Sequence, residues 1–190
     1  MKREVEILVE VLDSKEKALK VLHAFKFEEE KAVHDIYFYD PKRVDLKPEE
    51  GGRLNNSFRL RKKGKKAHIT YKKDNFHADG SWNYSDEYET EIQDFEITKK
   101  ILDNLGIEVL TEVKCTKYIF ITDDYEIVLE DVEGLGLFME VETLKDLDEG
   151  DVGEEKDKIR KFMKGLGIKL GKEMDSGKPE LMLKKNRYHL

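Results

Sequence analysis

Charged side chains that recur at every second position are the residues in this sequence most suited to chemistry. In an extended segment, residues two positions apart point to the same face of a sheet. Some segments carry acids at this spacing and others carry arginine or lysine, so the two signs are separated segment by segment. The acidic positions are Glu4, Glu6, Glu130, Glu140 and Glu142, and the basic positions are Arg59, Arg61 and Lys72.

Such a pattern indicates a site for a metal-bound polyphosphate if the charged faces are enclosed. Carboxylates hold Mg²⁺ or Mn²⁺ through hard oxygen ligands. Arginine and lysine bind phosphate oxygens, and arginine often does so through two bonds. The same pattern is also typical of an open antiparallel sheet with one solvated face. The separation of the two signs between strands favours the enclosed site over the solvated one.

The elements that must position these residues alternate between strand and helix patterns. Strands are predicted over 4–11, 33–39, 57–62, 68–73, 87–92, 109–121, 126–131 and 136–143. Helices are predicted over 14–25, 97–105, 151–166 and 178–185, with loops over 41–56 and 74–84. This order predicts an α+β fold with a mainly antiparallel sheet, in one domain that spans residues 1–190.

Composition excludes several other classes of protein. The chain has 190 residues, of which 41% are charged, yet the net charge is only −7. No apolar run approaches the roughly 20 residues that a membrane helix needs, and no signal peptide is recognisable. The single cysteine cannot form an internal disulfide or a zinc cluster. We therefore expect a cytoplasmic protein without a membrane or nucleic-acid partner, and its Glu and Lys content is typical of thermophile proteins.

Several motifs, taken in their order along the chain, resemble the CYTH superfamily, which includes class IV adenylate cyclases, thiamine triphosphatases and tripolyphosphatases. They are Glu4-Val5-Glu6 (ExExK), 34–38 (the DxYF strand of the cyclase-like branch), 58–61 (the LRxR strand), 70–72 (a lysine strand), 88–91 (an acidic segment), 113–114 (KxR) and 134–142 (GLGxFxEIE). The resemblance covers nearly the whole chain and is closest to the archaeal, cyclase-like branch. It implies the triphosphate tunnel, a closed eight-stranded antiparallel β-barrel with helices packed outside.

The resemblance also implies roles for individual residues. One or two Mg²⁺ or Mn²⁺ ions would be held by Glu4, Glu6, Glu130, Glu140 and Glu142. The phosphates would be bound by Arg59, Arg61, Lys72 and Lys114, and catalysis would depend on Glu130, Glu140 and Lys114. The alternative for all of these residues is internal ion pairing. The family resemblance is also compatible with a homodimer.

Three departures from the family motifs bear on activity. The lysine of ExExK is replaced by Leu8, which can support neither catalysis nor phosphate binding. The arginine of KxR falls at Thr116, and strand parity predicts that the nearby Lys117 points to the other face. Glu130 stands where an aspartate is expected, which keeps the charge on a longer side chain.

Three functions follow from this resemblance. A class IV adenylate cyclase would convert ATP into cyclic AMP and pyrophosphate. A phosphatase with the same site would hydrolyse tripolyphosphate, thiamine triphosphate or nucleoside triphosphates. A non-catalytic binder of nucleotide or polyphosphate is the third alternative, because of Leu8 and Thr116. In each case the partner is a small triphosphate molecule.

Overall fold

The chain folds into one long antiparallel sheet and four helices. The computed structural model describes residues 3–49, 51–76, 80, 82–145, 147 and 151–186. The strands are β1 (Arg3–Glu4), β2 (Glu6–Val11), β3 (Lys26–Tyr39), β4 (Asn56–Lys63), β5 (Lys66–Phe76), β6 (Trp82–Ile92), β7 (Glu108–Ile121), β8 (Tyr125–Val132), β9 (Gly136–Thr143) and β10 (Leu170–Glu173). The helices are α1 (Lys15–Leu22), α2 (Phe95–Asn104), α3 (Val152–Gly165) and α4 (Lys178–Lys185), and a 3-10 turn spans Val44–Leu46.

The ten strands form a sheet in the order β1-β6-β5-β4-β3-β7-β8-β9-β2-β10. Only Val5 separates β1 from β2 along the chain, yet β1 pairs with β6 and β2 pairs with β9. The sheet must therefore curl strongly, so that β6 and β9, which lie far apart in the strand order, both reach this N-terminal segment. The eight predicted strands correspond to β2 through β9. The strand order begins at β1 and ends at β10, so the sheet has two edges. The prediction of a closed eight-stranded barrel is therefore not confirmed.

Element boundaries follow local signals where those signals are strong. Ser14 begins α1, because its hydroxyl accepts a hydrogen bond from the amide of Lys17. Asp94 caps α2 through the amide of Ile97, and this cap makes the helix begin two residues earlier than predicted. Gly106 follows α2 with a φ of +80°, a conformation that glycine adopts without strain.

Two boundaries differ from the prediction and one strand was not predicted, in segments where polar and apolar residues do not alternate. The strand predicted over 33–39 begins at Lys26, because 26–31 carries charges on both faces yet pairs along its length with β7. The predicted loop over 74–84 is shortened by the ends of β5 and β6. The four residues of β10 are too few to show a pattern, and they lie beside β2.

Helices cover the apolar face of the sheet. Val5, Ile7, Val9 and Val11 alternate along the N-terminal segment and are all buried. They form one core cluster with Ala18, Leu22, Phe120, Tyr125, Ile127, Leu129, Met139, Val141, Val152, Ile159, Met163 and Ile168. The charged residues of β2 and β9 therefore point to the opposite face. Within the part of the chain that the structure describes, no helix has the length and apolar character needed to span a bilayer.

Lys156, one of two buried charged residues of α3, supports a prediction about pH. Burial lowers the pKa of Lys156, whose side chain is 5% exposed, to about 8. In the unfolded chain the lysine pKa is about 10.4, so between these two values the unfolded state binds more protons and the stability rises with pH. Lys156→Met should therefore raise the free energy of unfolding at pH 7 by about 1–3 kcal/mol.

Urea denaturation at pH 7 and at pH 10 measures this effect. The gain from Lys156→Met should shrink at pH 10, because the wild-type lysine is then neutral in the folded state. Lys161→Met, on an exposed position of the same helix, is the control and should change little at either pH. An equal gain at both pH values would contradict the assignment to a buried ammonium group.

A candidate active site in the charged cavity

The charged face of the sheet lines a cavity of about 750 Å³. Its lining includes twelve carboxylates and seven cationic side chains, so acids are in clear excess. The carboxylates belong to Glu6, Glu28, Glu29, Asp74, Glu87, Glu89, Glu126, Glu140, Glu142, Glu173, Asp175 and Glu180. The cations are Lys31, Arg59, Arg61, Lys63, Lys72, Lys117 and Lys178. Such a cavity has to bring in cations before it can hold a polyanion.

A two-bonded ion pair joins β3 and β4 on this face. Arg61 donates from Nε to Asp35 Oδ1 at 2.7 Å and from Nη2 to Asp35 Oδ2 at 2.8 Å. The two residues are direct neighbours in the register of the strands. Burial alone would raise the pKa of Asp35, but the charge and hydrogen bonds of Arg61 hold that pKa well below its usual range. The carboxylate is therefore ionised, and it orients the guanidinium beside the cavity.

A second charge network joins β7, β8, β9 and α4. Lys117 Nζ lies 2.7 Å from Glu130 Oε1, and Lys178 Nζ lies 2.9 Å from Glu130 Oε2. Lys178 Nζ also lies 2.7 Å from Glu140 Oε2. Burial opposes ionisation of Glu140, but Lys178 outweighs it and the pKa of Glu140 lies far below its usual range. Two predicted acids are thus brought together, each held by lysine.

The two lysines of β7, Lys114 and Lys117, lie on different faces from those predicted. Lys117 pairs with Glu130 and lines the cavity, so the prediction that it points to the other face is wrong. Lys114 is exposed, and with Thr116 it lines a separate concavity of about 1130 Å³. The positions that share a face with Lys117 include Val113, Cys115 and Ile119, all buried and apolar. Lys114 therefore lies outside the cavity that contains Arg59, Arg61 and Lys72, the other predicted phosphate-binding residues.

Arg59 and Lys72 make longer contacts on the same face. Arg59 Nη2 lies 3.6 Å from Glu87 Oε1 and 3.9 Å from Glu89 Oε2. Arg59 Nε is buried and has no hydrogen-bond partner among the residues described. Lys72 Nζ lies 3.4 Å from Glu6 Oε1. A buried donor without a partner is costly in a finished core, so Arg59 Nε indicates a site that a ligand completes.

Acidic residues stand side by side on three neighbouring strands. Glu6 of β2 is directly opposite Glu142 of β9, which is directly opposite Glu126 of β8. Carboxylates opposed in this way repel each other unless a cation lies near them. For Glu4 the structure describes only the backbone, which pairs with Ser85. Over the described ranges, no group of three or more His, Cys, Asp or Glu residues is arranged to hold a metal ion, so the metal site stays a prediction.

Besides Lys117, the sequence predictions missed two residues of these networks, Asp35 and Lys178. Asp35 belongs to the motif that resembles the DxYF strand, and this motif was the signal for it. Lys178 begins α4, far along the chain from the acids that it contacts, and no local pattern marks it. Lys178 reaches the cavity only because α4 docks against the sheet.

Comparisons of the sequence and of the fold with known proteins indicate the CYTH domain family. Residues 2–175 match the family model described as CYTH domain. The chain is 32% identical over 168 residues to a Methanocaldococcus jannaschii protein provisionally named an adenylate cyclase, with 87% of this chain and 90% of that protein covered. The fold is similar to that of PH1819 protein from Pyrococcus horikoshii OT3, at a TM-score of 0.79 and 26% identity, covering 96% and 99% of the two chains.

A second similar structure belongs to a protein whose activity is described. It is HpAC1 from Hippeastrum, assigned provisionally as an adenylyl cyclase and described as having a dominant triphosphatase activity. The TM-score is 0.60 at 16% identity, with 100% of this chain and 98% of that chain covered. At this identity the likeness concerns the fold alone.

Proposed function

This chain belongs to the CYTH domain family, and from that premise we propose that it is a divalent-metal-dependent enzyme acting on a triphosphate in the charged cavity. The observation that carries the proposal is the arrangement of arginine and lysine against carboxylates along one sheet face. We also propose that the curled sheet works as a tunnel, completed by the N-terminal segment β1–β2 and by residues 174–180 at its lining.

Four cations are proposed to bind the phosphates. Arg59, Arg61, Lys72 and Lys117 line the cavity from three strands. Their charges would neutralise phosphate oxygens and stabilise the charge that develops on a leaving phosphate group. Arg61 arrives already oriented by Asp35, so little conformational entropy is lost when a phosphate binds. Lys117 takes the part predicted for Lys114.

We propose that the carboxylates of the cavity bind a divalent cation that enters with the triphosphate. Twelve carboxylates against seven cations would repel a free polyanion, and hard oxygen ligands suit Mg²⁺ or Mn²⁺. We propose that Glu6 and Glu142 hold the cation, with Glu4, Glu130 and Glu140 completing the predicted set. The bound cation would supply a lowered pKa for the attacking oxygen and partial neutralisation of the phosphates.

An adenylate cyclase is the first candidate activity. The 3′-hydroxyl oxygen of ATP would attack the α-phosphorus, forming the cyclic ester as the bond to the pyrophosphate oxygen breaks. The hydroxyl proton leaves to solvent or a cavity carboxylate, and cyclic AMP and pyrophosphate are the products. The resemblance of residues 34–38 to the cyclase-branch strand and the name of the M. jannaschii relative support this candidate.

A triphosphatase is the second candidate activity, and the description of the Hippeastrum neighbour favours it. Water would attack the terminal phosphorus, and the bond to the bridging oxygen would break. Orthophosphate and the shortened phosphate chain are the products. The same cations would bind the substrate, so the two candidates differ in the nucleophile and in the phosphorus that is attacked.

One assay separates the candidates. The protein is incubated with ATP or tripolyphosphate and with Mg²⁺ or Mn²⁺, and cyclic AMP, pyrophosphate and orthophosphate are quantified. We expect cyclic AMP with equimolar pyrophosphate from ATP, and loss of all product when EDTA removes the cation. Orthophosphate without cyclic AMP would replace the first candidate by the second. A rise in melting temperature with tripolyphosphate and Mn²⁺, but no product, would leave only the non-catalytic binder.

A further inference from the structure

Position 8 lies on the cavity-facing side of β2, where the family motif has a lysine. Leu8 is directly opposite Glu140 of β9. Opposed residues on neighbouring strands have Cβ atoms about 5 Å apart, so a lysine at this position would reach the Glu140 carboxylate. Leu8 instead packs with an apolar cluster that includes Leu181 and Leu183 of α4. The chain therefore has no ammonium group on β2 to bind Glu140.

An ammonium group reaches the same carboxylate from α4. Lys178 Nζ lies 2.7 Å from Glu140 Oε2 and 2.9 Å from Glu130 Oε2. Its side chain is only 14% exposed. The two glutamates point to the same face of adjacent strands, and Lys178 bridges them. The charge that Leu8 cannot supply is thus present in the cavity on another element.

The apolar character of Leu8 helps to hold the segment that carries this lysine. The amide of Met174 donates to the carbonyl of Leu8 at 2.9 Å, and Met174 packs with the same apolar cluster. Glu180 then fixes the start of α4, accepting from the amide of Leu54 at 2.7 Å and from the amide of Gly177 at 2.5 Å. These contacts place Lys178 at the first turn of the helix with its side chain toward the cavity.

A lysine in the first turn does not serve the stability of the helix itself. The N-terminus of a helix carries a partial positive charge, so a cation there is unfavourable. The two buried carboxylates offset this cost, because their own burial would be unfavourable without a cation. The position of Lys178 is therefore explained by Glu130 and Glu140 and not by α4.

We infer that Lys178 supplies, from α4, the ammonium group that β2 lacks at Leu8, and that it is a positioning residue for Glu130 and Glu140 in the reaction. The inference rests on the proposed function. It assigns the C-terminal segment from Met174 to the reaction centre, since this segment delivers the lysine. It also implies that the change at position 8 does not inactivate the protein.

Three variants test this assignment in the presence of Mg²⁺, with ATP or tripolyphosphate as the substrate, whichever the wild-type protein converts. Lys178→Met should lower kcat/KM by about 10–100-fold, the range expected for loss of a charge-assisted contact. Lys178→Arg keeps the charge and should retain most of the activity. Lys178→Met combined with Leu8→Lys returns the ammonium to β2 and should recover a large part of the loss. Lys184→Met, an exposed lysine of the same helix, is the matched control.

The rescue separates positioning from a merely structural role. If Lys178 only stabilised the docking of α4, Lys178→Met would lower the melting temperature but keep kcat in the folded protein, and Leu8→Lys would restore nothing. Calorimetric titration with Mn²⁺ alone gives a second readout. Tighter Mn²⁺ binding by Lys178→Met together with undiminished turnover would identify Lys178 as a competitor of the metal and overturn the inference.

Different outcomes overturn the proposed function and the role of Lys178. A wild-type protein that neither binds nor converts ATP or tripolyphosphate overturns the proposed function, and the inference with it. A wild-type enzyme that is active, beside an equally active Lys178→Met, overturns the inference alone. Should Lys178→Met fail to fold, Lys178→Met/Leu8→Lys decides: a folded and active double variant supports the inference, and a folded but inactive one overturns it.

Discussion

Replacing Arg61 by methionine should lower the free energy of unfolding by about 3–5 kcal/mol, since the change leaves a buried carboxylate without its counter-ion. Asp35 is 4% exposed and receives both hydrogen bonds of the Arg61 guanidinium. Methionine can fill much of the volume but carries no charge. Urea denaturation at pH 7 measures the loss. Lys62→Met, an exposed neighbour on the same strand, should cost under about 1 kcal/mol.

Two further measurements tie this loss to Asp35. Asp35→Asn combined with Arg61→Met should recover part of the stability, because it removes the unpaired charge. In Arg61→Met, burial without a partner should raise the pKa of Asp35 above its unfolded value. The penalty is then largest above that raised pKa, and it should shrink as the pH falls from 7 to 5. A loss that is the same at both pH values, and in the double variant, would contradict this account.

Replacing Arg59 by methionine should weaken tripolyphosphate binding by about 10–100-fold while changing stability much less. The contacts of Arg59 with Glu87 and Glu89 are 3.6 and 3.9 Å long, and its buried Nε has no partner within the described part of the chain. The guanidinium is therefore placed for a ligand more than for its neighbours. Calorimetric titration with tripolyphosphate and Mg²⁺ gives the affinity.

Lys62→Met again serves as the matched control, because Lys62 is exposed and lies outside the cavity. It removes one positive charge from the same strand, so any change that it causes measures the general electrostatic effect. Unchanged affinity in Arg59→Met would exclude this arginine from the phosphate site. Equal losses in the two variants would assign the effect to net charge.

Alternation along single strands predicted much of the cavity. Arg59 and Arg61 share a face with Lys72 because their strands are adjacent and the three residues have matching parity in the register. The same rule placed Glu6 and Glu140 correctly on the cavity face. Alternation did not assign the faces of β7 correctly, because that strand buries apolar residues on both faces. Val113 lies toward the cavity and Phe120 lies toward the helices, so hydrophobicity does not distinguish the two faces.

Contacts between distant elements could not be predicted in this way. Lys178 contacts Glu140 because α4 docks against the sheet. This docking depends on the apolar contacts of Leu8 and on the cap at Gly177. Short elements were missed for a related reason, since four residues of β10 are ordered by their neighbour β2. The family followed from motifs spread over the whole chain, and the α+β fold followed from the order of predicted strands and helices. The metal ligands stay predictions.

The interruption at Val5 has a consequence for how the protein is made. The segment around it is synthesised well before its partners Ser85 and Glu142. Pairings so distant in sequence form slowly, because the ends of a long loop must meet before any contact stabilises them. The strands β1 and β2 are thus among the last to pair, and β1–β2 completes the cavity together with residues 174–180.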